Sequence, residues 1–313
     1  MAIAWLFPGQ GSQAVGMGRD VLEASPAARA VFERADAALG EPLSKLILEG
    51  PEETLTLTAN TQPAILATSI AILEAIRERI PDLATPAFAA GHSLGEYSAL
   101  VAAGALRLED ALPLVRARGG AMQEAVPAGT GAMLAVMGLD PEKVEALCRE
   151  ASDGEVVSPA NFNAPGQVVV AGHAAAVARV RDLVTSQKGR AVPLKVSAPF
   201  HCALMAPAAR LVETELARID VAAPAFPIVA NFDASPNQDG ARAKELLVQQ
   251  VDGAVRWDAS VRLMEANGVT RALEIGPGKV LAGLVKRIAK DLKVLSVGDA
   301  ASLGEVAAFV AGG

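Results

Sequence analysis

One serine and three histidines are the residues of this chain best suited to covalent chemistry. Ser93 is the centre of Gly91-His92-Ser93-Leu94-Gly95, inside the run GHSLGEYSAL at 91–100. This is the G-x-S-x-G pattern, and its logic is steric. A strand that turns sharply into a helix strains the central serine and presents its hydroxyl outward. Side chains two residues to either side would collide, so glycine is favoured there. The backbone N–H of Leu94 then points to where an oxyanion would form, and the helix N-terminus adds positive potential. Acyl transfer through an acyl-serine is the chemistry such a turn serves.

A serine nucleophile needs a base. His92 is adjacent, but consecutive side chains diverge in a tight elbow, so it is expected to sit packed beside the turn. His173 follows an apolar strand and precedes a helical pattern, which suits a helix-start residue. His201 lies in VSAPFHCALM, 108 residues beyond Ser93, on a loop expected at a domain junction and followed by a helix. That is a good position for a catalytic base. Acids for a triad are poorly placed: Asp140, Asp153 and Asp182 fall in a different part of the fold. A carbonyl or amide oxygen is the alternative means of orienting the imidazole.

The elements that would hold these residues alternate between strand and helix from the first residue, the mark of an α/β fold with a mostly parallel sheet. AIAWLF is an apolar strand ending in the turn PGQGSQ. Residues 62–80 show helical spacing, AFAAG is a strand leading into the serine turn, and 94–103 and 107–126 are further helices. Residues 129–197 change rhythm to β-α-β-β-α-β, the ferredoxin-like order. The pattern runs GTGAMLAVMGL, PEKVEALCREA, GEVVSPANFN, GQVVVAG, AAAVARVRDLVTSQ and AVPLKVSA. The expected fold is therefore an α/β-hydrolase-like core, 1–128 and 198–313, with a small ferredoxin-like domain inserted at 129–197. PIVANFD, RALEIGPGK and KVLAGLVKRIAK continue the core as strand, strand and helix.

Length and composition agree. At 313 residues the chain suits one large domain or a domain carrying an insert. Apolar residues make up 51% but aromatics only 4%, so the core is built from Ala, Val, Leu and Ile. A net charge of −7 without a basic run argues against nucleic-acid binding. Cys148 and Cys202 make neither a disulfide framework nor a metal-ligand spacing, so no metal is expected and a reducing cytoplasm fits. No targeting leader or membrane span is expected.

Eight motifs in order resemble the malonyl-CoA:acyl carrier protein transacylases of bacterial fatty acid synthesis, an acyltransferase family. They are FPGQGSQ at 7–13, NTQPA at 60–64, GHSLGEYSAL at 91–100, the R-G…MQEAVP run at 118–127, GTGAM at 129–133, NFNAPGQV at 161–168, HCALM at 201–205 and EIGPGKVL at 274–281. The resemblance spans residue 4 to about 290. It implies Ser93 as nucleophile and His201 as base. It also implies an oxyanion hole of the Gln10 and Leu94 backbone N–H groups, and Arg118 as the partner of a substrate carboxylate. A buried carboxylate without a partner would be costly, and a bidentate guanidinium meets that need. Arg116, two residues away, would face elsewhere. Gln250 is implied beside the carbonyl that holds the histidine, although Gln249 is adjacent and VDGAV departs from the usual Tyr-Asn-Pro-Val. Asn161 and Gln62 fall in family motifs as supporting contacts.

The implied reaction passes the malonyl group from malonyl-CoA through Ser93 to the phosphopantetheine thiol of acyl carrier protein, with no cofactor of the enzyme's own. A monomer is expected. An acidic carrier would need a basic patch; Lys188 and Arg190, or Lys286, Arg287 and Lys290, are candidates, with ordinary solvated helix charge as the simpler reading. A serine hydrolase would share Ser93 and His201 but not need Arg118. A binding module would need none of the three. A transferase loading a different carrier would share nearly all of them.

Overall fold

The computed structural model describes residues 2–194, 196 and 198–312. AIAWLF forms β1 (Ala2–Phe7), and its residues from Ile3 onward are buried, as a strand covered on both faces requires. The expected alternation fails next. Five helices precede the second strand: α1 (Arg19–Ala24), α2 (Pro26–Leu39), α3 (Leu43–Glu49), α4 (Glu52–Thr56) and α5 (Thr58–Arg79). The physical reason is α5. It is buried around its circumference from Thr61 to Leu73, so one face of a sheet cannot cover it, and α2, α4 and α7 (Leu108–Glu124) pack against its other sides.

β2 (Phe88–Gly91) and α6 (Leu94–Ala102) flank the serine turn. The next elements are β3 (Gly131–Met137), α8 (Pro141–Ala151), β4 (Val157–Ala164), β5 (Gln167–His173), α9 (Ala174–Ser186) and β6 (Arg190–Pro193). These four strands form a separate antiparallel sheet in the order β4-β5-β3-β6. The last strand is shorter than AVPLKVSA; Lys195 and Ser197 of that stretch lie outside the described residues. One face of this sheet forms a core with α8 and α9 from Leu134, Val136, Val168 and Val170. From the other face, Met133, Val169 and Ala171 join the core of the main body.

The chain continues through α10 (Ala206–Leu216), β7 (Ile228–Val229), β8 (Pro236–Asn237), α11 (Gly240–Asp252), α12 (Trp257–Ala266), β9 (Val269–Ile275), α13 (Val280–Ile288), β10 (Lys293–Val297) and α14 (Ala300–Ala311). The main sheet has the order β10-β9-β1-β2-β7-β8, parallel except for β8. β1 lies between β9, late in the chain, and β2, so the strand order reverses there. The crevice at the carboxyl ends of β1 and β2 is where such sheets bind ligands.

PIVANFD was expected to be a full strand but pairs only over Ile228–Val229. Asn231 leaves the ladder because its backbone N–H goes to the Glu96 carboxylate at 3.0 Å. The chain then turns back through Ala234, at φ 54°, to β8. Among the described residues, no helix is long and apolar enough to cross a membrane.

Candidate active site

The loop after β1 and the turn after β2 meet at the carboxyl end of the sheet. A Cβ added to Gly91 would lie 1.9 Å from the Gly95 carbonyl, and one on Gly95 would lie 2.1 Å from the Phe7 carbonyl. Both glycines are therefore required for the turn to close against β1. A Cβ on Gly9 would lie 2.3 Å from the His92 carbonyl, which fixes how closely the Gln10 loop approaches the turn. Ser93 itself sits at φ 51°, ψ −104°, a backbone conformation that costs about 1–3 kcal/mol and persists only where its surroundings enforce it.

Asn231 is a large part of that enforcement. Its side-chain Oδ1 accepts from Ser93 N–H at 2.6 Å, and its Nδ2 donates to the Gly91 carbonyl at 2.7 Å. One buried amide thus bridges the residues before and at the apex.

His201 also has positive φ, 59°, one of five such non-glycine residues among those described. Its Nε2 is 2.8 Å from Ser93 Oγ and its Nδ1 is 2.8 Å from the Gln250 carbonyl oxygen. A carbonyl can only accept, so Nδ1 carries the proton and the Nε2 lone pair is left for the serine hydroxyl. Burial, and next the Arg118 charge, push the His201 pKa down to about 3, against the pull of the Gln250 carbonyl. The imidazole is thereby held neutral and able to take a proton.

Arg118 comes from α7 and is only 1% exposed. Its Nη1 donates to Gln62 Oε1 at 2.8 Å; its Nη2 donates to Gln250 Oε1 at 2.8 Å and to Ser93 Oγ at 3.1 Å. The guanidinium carbon lies 5.3 Å from the Tyr97 ring centroid. Burial lowers its pKa. The result is a desolvated cation beside the serine oxygen, placed to meet a carboxylate a few atoms from the reacting carbon.

Ser93, Leu94, Gln10, Gln62, Arg118, Asn161 and His201 line one cavity of about 240 Å³, whose remaining walls include Met122, Met133, Leu194, Val196 and Phe200. The backbone N–H groups of Leu94 and Gln10 donate to no described protein group and are available to a ligand oxygen. Of the two glutamines left open by the sequence, Gln250 is fully buried in the site. Asn161 faces the cavity, and its side chain makes no hydrogen bond among the described residues. Arg116 points away and pairs with Glu41. His92 hydrogen-bonds Asn163 Oδ1 through Nε2 at 2.8 Å and packs against Trp257 with the rings tilted at 56°, 5.6 Å between centroids. His173 caps the start of α9 in position only; its Nδ1 accepts from Val156 N–H at 2.9 Å.

Two residues of the site are not legible in the sequence. Asn231 falls within the apolar strand expected at PIVANFD, and only its polarity there sets it apart. Glu96 lies in the helix expected after the serine. It is 3% exposed, and its Oε2 accepts from both Gln250 Nε2, at 2.7 Å, and Asn231 N–H, at 3.0 Å. A charged residue three places after Ser93, in an otherwise largely apolar helical run, is the available signal.

A strained serine, a neutral imidazole oriented by a carbonyl, and free amides opposite them define an acyl-transfer enzyme. The acyl transferase domain family matches residues 4–310, and the chain belongs to it. It is 48% identical over 308 residues to the malonyl CoA-acyl carrier protein transacylase of Haemophilus influenzae, covering 98% of each chain. Its identity to the Bacillus subtilis protein of the same name is 48% over 299 residues, 95% of this chain and 93% of that one. Among solved structures, an acyl carrier protein S-malonyltransferase from Vibrio cholerae superposes with a TM-score of 0.95 at 48% identity, covering 98% of this chain and all of that one. A malonyl-transacylase in complex with its type II PKS acyl-carrier protein superposes with a TM-score of 0.94 at 46% identity, covering 97% and 98% of the two chains.

Proposed function

We propose that this acyltransferase moves a malonyl group from malonyl-CoA to the phosphopantetheine thiol of acyl carrier protein, by way of a malonyl ester on Ser93. The observation that carries the reading is Arg118: a buried guanidinium 3.1 Å from the nucleophile's oxygen. A neutral acyl chain would bring that buried charge no counter-ion, whereas a malonyl carboxylate pairs with it.

In the first half-reaction His201 Nε2 takes the Ser93 proton as Oγ bonds to the thioester carbon. The carbonyl oxygen becomes an oxyanion at the Leu94 and Gln10 N–H groups. The C–S bond then breaks, and the imidazolium returns its proton to the departing CoA thiolate. In the second half, the carrier's thiol gives its proton to His201 and attacks the ester. The C–O bond breaks and Ser93 recovers the proton. The Gln250 carbonyl holds the imidazole and stabilises its charged form in both halves, in place of a triad acid. Gln62 braces Arg118, and Asn161 meets the substrate from the second sheet. Side chains of a single chain perform both halves, so we propose no cofactor, and one copy suffices.

We read residues 129–197 as a ferredoxin-like insert in an α/β-hydrolase-like core; the strand order β4-β5-β3-β6 and its private core support this. The names of the relatives and free, buried Cys148 and Cys202 favour a cytoplasmic enzyme of fatty acid synthesis. The test is an assay of malonyl transfer from malonyl-CoA to acyl carrier protein with hydrolysis measured alongside. Transfer well above hydrolysis is expected; hydrolysis without transfer would mean an esterase.

A further inference from the structure

We propose that Glu96 is a positioning residue whose negative charge, together with the positive charge of Arg118, locks the Gln250 side-chain amide in one orientation and thereby sets the carboxylate-binding guanidinium and the base. The inference rests on the malonyl reading of the site. Gln250 is the junction of the network. Its Nε2 donates to Glu96 Oε2 at 2.7 Å and to the Ser93 carbonyl at 3.0 Å; its Oε1 accepts from Arg118 Nη2 at 2.8 Å; its backbone carbonyl holds His201 Nδ1 at 2.8 Å.

A side-chain amide can flip end for end. Here the flipped form would set its oxygen against a carboxylate and its N–H groups against a guanidinium, two repulsions in a buried site where charges act strongly. The anion at one end and the cation at the other therefore select the productive orientation. The same carboxylate oxygen accepts the Asn231 N–H, and Asn231 clamps the serine turn. Glu96 thus bears on nucleophile, base and substrate-binding cation while touching none of the reacting atoms.

The charged and titratable groups bearing on Glu96 are Arg118 from α7, Asp233 from the turn after β7, and Tyr97 beside it on α6; His201 connects only through Gln250. Burial foremost, opposed by hydrogen bonds from Asn231 and Gln250 and by Arg118, lifts the Glu96 carboxyl to about 7. The lock is therefore firm above that pH and loosens as the carboxyl takes a proton below it. His201, already neutral well below that range, contributes no change there.

The test is the rate of Ser93 malonylation by malonyl-CoA, followed by rapid quench and mass spectrometry across pH, for wild type, Glu96→Gln and Glu96→Asp. Wild type should slow as pH falls through about 7. Glu96→Gln keeps an acceptor in place but loses the charge. It should be roughly tenfold slower than wild type at high pH, the difference between a charged and a neutral hydrogen bond, and its rate should not change through that range. Its KM for malonyl-CoA should rise because Arg118 is less well held. Glu96→Asp, too short to hold both partners, should retain a pH step but move it. A merely structural role would lower the melting temperature and leave the pH step in place. A Glu96→Gln profile superimposable on wild type overturns the inference. If that variant does not fold, a Glu96→Asp profile identical to wild type does so. Absence of any Ser93 adduct in wild type overturns the malonyl reading itself, and this inference with it.

Discussion

The two sheets contribute to the site in different ways. From the parallel sheet and its helices come Ser93, His201, Arg118, Gln250, Glu96 and Asn231, all polar and joined by hydrogen bonds of 2.6–3.1 Å. From the antiparallel sheet and its exit come Met133, Asn161, Leu194 and Val196, and of these the one polar side chain makes no hydrogen bond among the described residues. One side is a fixed electrostatic frame; the other is a wall. The frame holds the reacting groups and the guanidinium while the wall bounds the remaining space, so substitutions on the two sides should differ in kind.

The largest effect is expected at the proposed base. His201→Ala should slow Ser93 acylation by roughly 10²–10⁴-fold, the usual yield of general base catalysis, in a single-turnover assay. A normal acylation rate would point to another base. Arg118→Ala should lower the preference for malonyl-CoA over acetyl-CoA by roughly a hundredfold, the scale of losing one partner of a buried charge pair. An unchanged ratio of the two kcat/KM values would remove the arginine from specificity. Asn231→Ala strips two hydrogen bonds from the serine turn and should cost about 2–4 kcal/mol in denaturant unfolding, whereas Asn161→Ala should stay within about 0.5 kcal/mol. Equal losses would erase the contrast between frame and wall. The smallest effect belongs to Leu194→Ala: malonyl transfer within about threefold of wild type, with a bulkier diacid thioester gaining by roughly tenfold, as one or two methylenes of pocket space allow. A large loss of malonyl transfer would show that the wall takes part in the chemistry.

The same contrast governs what could be read from the sequence. The serine turn was legible because its constraint is local: glycines two residues to either side of a serine, between an apolar strand and a helix. The rejection of His92 followed from the same local geometry, and His92 is indeed turned away to Asn163. The β-α-β-β-α-β rhythm of 129–197 was legible from periodicity. Asn231 and Glu96 were not. Each acts across more than 130 residues of sequence, on Ser93 and on Gln250. Nothing in the local pattern of PIVANFD or LGEYSAL says which partner a buried polar group will find. Of the five helices before β2, the spacing at 62–80 shows only α5; the four before it are not legible because they pack against other helices, α5 above all, and not against a sheet. Gln249 and Gln250 could not be told apart until α11 fixed which of the two faced inward.

Malonyl transfer through Ser93 requires a covalent bond at that residue. Incubation with malonyl-CoA followed by peptide mass spectrometry should find one malonyl group on the peptide containing Ser93 in the wild-type protein, and none in Ser93→Ala. A malonyl group on a different residue, or an unmodified Ser93 after full exposure to malonyl-CoA, would contradict it.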